Sequence, residues 1–256
     1  MNFHQKHQPA TINDLVFQDP AVAQIIKEYA SGARTKHLLL EGPTSSGKSE
    51  AARMILHERL SPHLGADYTS TYHGQGFDAH TTKQINGDWN IQMWNKVAYS
   101  IIDEIDFANA DGRREIRKLI DDKRFGTLIC TTNHISKLEP AFVSRFYVMN
   151  IQLPSASDWH NRAKIILNAE GHLVSLGQVQ KIMSNFSGHA REFIDFIEDA
   201  HIELLKTRHS ASAPVQGASS SLHVHTTGPV SVANSGITLN GATTQNIVRP
   251  GGSSSP

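Results

Sequence analysis

The sequence predicts an α/β fold: a central parallel sheet with flanking helices, then a small helical lid domain, then a disordered C-terminal tail. Three observations carry that reading. Over the first 153 residues, short apolar runs alternate with stretches of helical period. Pro154 ends the alternation, and the stretches behind it are helical in period. Near His209 the composition changes abruptly, and acidic and aromatic residues disappear. The expected boundaries are therefore 1–153 for the sheet domain, 154–209 for the lid and 210–256 for the tail.

Taken in order, Ala21 to Ser31 predicts a helix, because Val22, Ile25, Ile26 and Tyr29 recur at helical spacing. His37 to Leu40 predicts a short buried strand and Glu50 to Leu60 a helix. Residues from Thr71 to Trp94 show no clear period and are left unplaced. Tyr99 to Ile102 predicts a second strand, Arg113 to Lys123 a helix, Thr127 to Thr131 a third strand and Phe146 to Leu153 a fourth. Strands separated by helices need crossover connections, which make a parallel sheet. The lid follows as helices over Ser157–Ala169, Gly177–Asn185 and Ala190–Thr207. From Ser210 onward the chain holds no Asp, Glu or aromatic residue and a single Arg. Such a segment buries too little apolar surface to offset its ordering entropy, so a solvated tail is expected. A weak alternation from Val230 to Leu239 offers the alternative of a strand added to a partner.

Bulk properties narrow the function classes. Lys plus Arg and Asp plus Glu both number 24, so no global field draws the chain to nucleic acid or membrane. Any contact with DNA must come from a local patch. The single Cys130 excludes an internal disulfide and a multi-cysteine zinc site. No run approaches the ~18–20 apolar residues that span a bilayer, and MNFHQKHQPA carries no secretory pattern. The cytoplasm is the expected compartment (the host's, were the chain viral), with no membrane partner. The histidines are scattered and form no HExxH pair; the close pair in the tail is His223 and His225.

The chemistry is written at the strand ends. After the strand at Leu38–Leu40 comes Gly42-Pro43-Thr44-Ser45-Ser46-Gly47-Lys48-Ser49, a match to GxxxxGK[ST] lying between a strand and a helix. Glycines let the backbone curl so that its N–H groups face a phosphate at the positive end of the next helix. Lys48 supplies a point charge to the β and γ phosphates of ATP, and the Ser49 hydroxyl is placed to ligate Mg²⁺. The next strand ends in Asp103-Glu104. One carboxylate can hold Mg²⁺ through water and its neighbour can polarise an attacking water. An acidic pair after an apolar strand can also be a plain strand cap. The third strand ends in Asn133, placed either to sense the γ-phosphate or to form an Asx-turn.

With those motifs in place, the sequence resembles an AAA+ ATPase of the clamp-loader group, most like a replication factor C small subunit, over roughly Lys6 to Lys206. Lys6-His7-Gln8-Pro9, with Thr11, Asp14-Leu15 and Gln18, resembles the family's N-terminal Lys-Tyr-Arg-Pro segment. That segment lies beside adenine, so the resemblance implies that Gln8, Pro9, Val16 and Phe17 contribute to the nucleotide site. His7 and Gln8 stand where Tyr and Arg are usual. Asp103-Glu104-Ile105-Asp106 resembles the Asp-Glu-Ala-Asp box. Ser144-Arg145-Phe146 resembles the Ser-Arg-Cys motif, which implies that Arg145 reaches into a neighbouring subunit's ATP as an arginine finger; the alternative is a surface ion pair. Gly188-His189-Ala190-Arg191 resembles the lid sensor, which implies that Arg191 touches the γ-phosphate in its own subunit; the alternative is packing against Glu192 or Asp195. Clamp-loader subunits usually add a helical collar domain, and no such pattern follows the lid in this sequence.

Arg114, Arg117 and Lys118 share one face of their predicted helix, while Ile116, Leu119 and Ile120 form another. In clamp loaders the corresponding helix tracks the DNA backbone, so these cations are candidates for phosphate contacts without sequence readout; the alternative is a solvated face balanced by Asp121 and Asp122. The leading expectation is an ATP-hydrolysing subunit, working with copies of itself or related AAA+ subunits and with DNA, that acts on a sliding clamp or helicase in replication. The rivals are a helicase or helicase-loader ATPase of a virus or mobile element, and a module that binds ATP without hydrolysing it.

Overall fold

Alternation of side chains along very short strands sets the layers of this protein. The computed structural model describes residues 1–65, 68–94, 98–122 and 126–211. Most of the predicted tail, its Val230–Leu239 alternation and Lys123 lie outside them. A short helix α1 (Phe3–His7) precedes α2 (Pro20–Ser31), and β1 (Leu38–Glu41) leads into α3 (Lys48–Leu64). Then come β2 (Thr71–His73), α4 (Ala79–Met93), β3 (Tyr99–Asp103), α5 (Ala110–Asp121), β4 (Thr127–Thr132), α6 (Pro140–Val143) and β5 (Tyr147–Asn150). The lid is α7 (His160–Ala169), α8 (Leu176–Ile182) and α9 (Phe193–Ala211). Sheet layer and lid belong to one compact unit. Among the described residues, no helix is long and apolar enough to cross a membrane.

The sheet is parallel throughout, in the order β2-β3-β4-β1-β5. On one face Leu38, Leu40, Ile101 and Ile129 pack against Val22, Ile26 and Tyr29 of α2 and Ala52, Ile55 and Leu56 of α3. Leu39, Ile102, Leu128 and Cys130 point the other way, onto Ile85 and Trp89 of α4 and Ile116 and Leu119 of α5. Both faces are covered, so the strands read as continuous apolar runs rather than as polar–apolar alternation. Strand order reverses direction at β1, whose neighbours are β4 and β5. The carboxyl ends of β1, β4 and β3 therefore open side by side, where ligands of open α/β sheets bind.

Two elements fill the stretch without a sequence period. β2 is a three-residue edge strand and α4 a fifteen-residue helix, started by Asp78, whose side chain accepts the Thr81 N–H. The expected fourth strand is shorter than its apolar run: Phe146 turns into the core beside Phe142, with ring centroids 5.3 Å apart. The second lid helix ends at Ile182 and tightens into a 3-10 turn over Met183–Asn185.

The lid has its own apolar centre, in which Trp159 stacks on Phe193 at 4.3 Å and Trp159 Nε1 donates to the Gly188 carbonyl. At its edge, buried His172 shares a 2.8 Å hydrogen bond between its Nε2 and His201 Nδ1. Burial pushes His172 below the usual histidine range, and the charges of His201 and Arg208 add to that, against Glu170. The unfolded chain takes up a proton near the usual histidine pKa of about 6.5 while the folded lid resists it, so stability falls as pH drops through that value. Thermal unfolding should shift to lower temperature between about pH 7.5 and about pH 5.5, with a slope of at most about 1.4 kcal/mol per pH unit from this site. In His172→Gln the shift should shrink; an unchanged shift would place the sensitivity elsewhere.

Candidate functional site

The loop after β1 is shaped by close backbone contacts. A Cβ on Gly42 would stand 2.1 Å from the Ile151 carbonyl oxygen, so no other residue fits there. Ser45 sits at φ 64, a left-handed value that a non-glycine residue adopts at a cost. Gly47 caps α3, which places the positive end of that helix at the loop. Lys48 is buried, and its Nζ donates to the Pro43 carbonyl at 2.6 Å and to Ser46 Oγ at 3.4 Å. Its direct partners are neutral oxygens of the loop itself. Burial holds the Lys48 ammonium below the usual lysine range, opposed by the charges of Asp103, Asp106, Glu104 and Glu41. A buried cation folded back on a loop of N–H groups is suited to an anion.

The acidic pair is fixed from three strands. Asp103 Oδ1 accepts from Ser49 Oγ at 2.8 Å and also from Thr131 Oγ1. The Glu104 N–H donates to Thr131 Oγ1 at 2.9 Å, and Glu104 adopts φ 55, again left-handed. Gly74 makes that posture possible, since a Cβ there would lie 2.2 Å from the Glu104 carbonyl. In the β2–β3 register His73 stands opposite Asp103, and His73 Nε2 meets Glu104 Oε2 at 2.9 Å. Sequence reasoning missed His73, because β2 carried no strand signal. Asp106 is buried and accepts from Thr132 Oγ1 at 3.0 Å, while Thr132 Oγ1 accepts the His134 N–H. That chain of bonds secures the turn carrying Asn133. The turn's N–H goes to Thr132, so the Asn133 side chain is left to line the cavity.

One cavity joins these pieces. Thr44, Ser45, Ser46, Gly47, Lys48 and Ser49 line it together with Glu104, Asn133 and Arg191, and Gln8, Pro9, Val16 and Phe17 form its far wall. Gly42 and Pro43 shape the loop without lining the cavity, and Asp103 acts one layer behind through Ser49. The lid touches the loop where the Ala190 N–H donates to the Ser45 carbonyl at 3.2 Å. Arg191 stands exposed at the rim, and the two carboxylates expected as its alternative partners have other bonds: Glu192 with Ser187 and Asp195 with His4. Asp14 and Leu15 of the N-terminal segment also line the cavity, and so do Trp159, Arg162, Phe193 and Ile194, from positions no motif marks.

No family model matches the chain. Replication factor C subunit 4 of Caenorhabditis elegans is 26% identical over 206 residues, covering 76% of this chain and 61% of its own length. The replication factor C small subunit of Thermofilum pendens is 25% identical over 202 residues, covering 77% and 61%. The chain is similar to replication factor C subunits. It spans about 61% of the length of these relatives. Among solved structures, the Thermotoga maritima RuvB Holliday junction branch migration motor superposes with a TM-score of 0.58 at 17% identity, covering 81% of this chain and 68% of that one. That likeness concerns the fold.

In this replication factor C-like chain, the remaining candidates lie away from the cavity. Arg145, just after α6, is held by Asp121 at the end of α5: Nε to Oδ1 at 2.8 Å and a second amine to Oδ2 at 3.3 Å, with a further bond to the Ala141 carbonyl. The ion pair raises Arg145 and lowers Asp121 relative to their ordinary values. Within one chain, then, Arg145 forms an ion pair and does not reach its own cavity. On α5, Arg114 pairs with Asp111 at 3.4 Å, Arg117 with Glu139 at 2.8 Å and Lys118 with Glu115 at 2.5 Å. The carboxylates that pair directly with these cations are thus Asp111, Glu139 and Glu115, while Asp121 feels the charge of Arg117 without a direct pair to it.

Proposed function

We propose that this chain binds ATP with Mg²⁺ and hydrolyses it as one AAA+ subunit of an oligomer, and that the assembly remodels a DNA-replication complex in the manner of a clamp loader. One observation carries the reading: the phosphate loop, Glu104, Asn133 and Arg191, encoded far apart, converge on a single cavity whose far wall is the N-terminal segment. Lys48 and the loop N–H groups bind the phosphates, Glu104 orients the attacking water, and Asn133 and Arg191 contact the γ-phosphate from sheet and lid. Gln8, Pro9, Val16 and Phe17 flank the base.

The oxygen pair of Ser49 and Asp103 suits Mg²⁺, a hard cation that takes oxygen ligands and keeps several waters. When bound, the ion neutralises charge shared by the β and γ phosphates. Arg145 serves the neighbouring subunit's ATP, since its own cavity lies out of its reach. The partners are further copies or related AAA+ subunits, DNA through its backbone, and a sliding clamp or a helicase as client. The exposed pairs of Arg114, Arg117 and Lys118 are each worth at most about 1 kcal/mol, so DNA phosphates can displace the carboxylates.

ATP turnover measured against protein concentration, with and without primed DNA, tests the reading. Turnover per chain is expected to rise with both. A rate that is flat in concentration and indifferent to DNA overturns the oligomeric, DNA-coupled motor. Tight ATP binding without turnover under any of these conditions overturns hydrolysis and leaves a binding module.

A further inference from the structure

The base end of the cavity is a strap that the lid holds from several points. Arg162 on α7 grips Asp14 and, through its other amine, donates to the His7 carbonyl at 3.2 Å. Glu170, just past α7, takes Lys6 Nζ at 2.7 Å and His7 Nε2 at 2.5 Å, and Asp195 on α9 takes His4 Nε2 at 2.8 Å. The strap is tied to the sheet layer as well: the Ile12 N–H donates to Glu58 Oε1 at 2.9 Å, and Ile12 is buried in the α2–α3 face of the core. Val16 and Phe3 pack on the lid's apolar centre, whereas Leu15 and Phe17 pack on the sheet's. The wall beside the base therefore bridges the two layers whose relative position the phosphate end also reports, through Ala190 and Ser45.

Arg162 is the central tie of that strap. Its side chain and that of Asp14 are 13% and 24% exposed, and those of His7 and Glu170 beside them 7% and 15%, against 42% and 68% for the His4–Asp195 pair, so water screens these inner contacts far less than the outer one. Asp14 organises the strap around it, accepting the Ala10 N–H at 3.1 Å, the Thr11 N–H at 2.9 Å and Thr11 Oγ1 at 3.1 Å. A guanidinium can serve a carboxylate and a carbonyl at once from one rigid fork, which a lysine ammonium on a flexible stem does poorly.

We propose that Arg162 is a positioning residue that sets the base end of the cavity from the lid, so that affinity for the adenine moiety depends on lid position. The proposal rests on the ATP reading above. By linkage, base binding then draws the lid toward its closed position with the same coupling free energy. Arg162 acts through Asp14 and the His7 carbonyl, so its removal should weaken binding of the base and spare binding of the phosphates.

The test is competition against a ribose-labelled fluorescent ATP by two unlabelled ligands, ATP and inorganic tripolyphosphate, which lacks the base. In Arg162→Met the affinity for ATP should fall about tenfold, as expected for one lost half-buried charge-assisted contact, while tripolyphosphate competes as it does for the parent. Arg162→Lys should recover part of the ATP affinity, because an ammonium reaches Asp14 but not both acceptors. Should Arg162→Met fail to fold, Arg162→Lys carries the test with a smaller loss confined to ATP. Equal loss for both ligands, or none for ATP, overturns the proposal and leaves Arg162 as a tie between layers. If the parent binds neither ligand, the nucleotide reading itself falls and takes the proposal with it.

Discussion

Arg145→Ala is expected to lower ATP turnover about a thousandfold while leaving ATP affinity nearly unchanged, the low end of what an arginine finger supplies. The geometry separates the two effects. Arg145 does not line its own chain's cavity, so it contributes little to binding there. In one chain it is parked on Asp121, with side-chain exposures of 33% and 52% for the pair. Water screens a pair that exposed, so leaving it for a neighbour's γ-phosphate costs little. The charge growing on the transferred phosphoryl group then gains a planar guanidinium that the resting chain withholds. Mixing tells cis from trans. Lys48→Ala supplies a finger but no working site, and Arg145→Ala supplies a site but no finger. Equal amounts of the two inactive variants should regain measurable turnover. Failure to complement, or parent-like activity of Arg145→Ala alone, would reduce Arg145 to the surface ion pair it makes with Asp121.

The parts of this site that could be read from sequence are those whose chemistry is local. Gly42 to Ser49 declares itself because loop, cap and helix start all lie within eight consecutive positions, each with a backbone reason for its residue type. Asp103-Glu104 and Asn133 follow apolar runs that are buried on both faces and hence easy to see. The stretch that gave no signal contains β2 and α4. β2 has three residues at the sheet edge, exposed at Thr71 and His73, so it lacks the apolar run of a buried strand. α4 buries Ile85, Trp89 and the polar Gln92, whose side chain accepts the Tyr99 N–H, so a third of its inward stripe is disguised as a surface residue.

His73 was hidden for the same reason and one more. Its position opposite Asp103 depends on the β2–β3 register, and its approach to Glu104 depends on Gly74 lacking a Cβ. The tie between Asp14 and Arg162 spans 148 positions, and no spacing rule reaches that far. The family resemblance located Gln8, Pro9, Val16 and Phe17 beside the cavity, but the lid contacts that hold them there are contacts of packing rather than of motif.

Glu104→Gln is the second large effect: ATP hydrolysis should fall about a hundredfold or more while ATP remains bound and outlasts that on the parent. Glutamine keeps the size of the side chain, the left-handed backbone, the bond from the Glu104 N–H to Thr131 and a contact with His73. What it loses is the negative charge that, in the proposed reaction, polarises the attacking water. The resting carboxylate is already occupied, because His73 Nε2 holds Oε2 at 2.9 Å. That pair is exposed and worth no more than about 1 kcal/mol, so freeing the carboxylate in His73→Ala should raise basal turnover up to about fivefold. In the double variant the gain should vanish, since His73 has no charge left to restrain; a gain that persists would mean His73 acts elsewhere. Near-parent hydrolysis by Glu104→Gln would make the carboxylate a strand cap, and the water would need another base. Taken together, the three rates separate a base that is absent from one that is merely held.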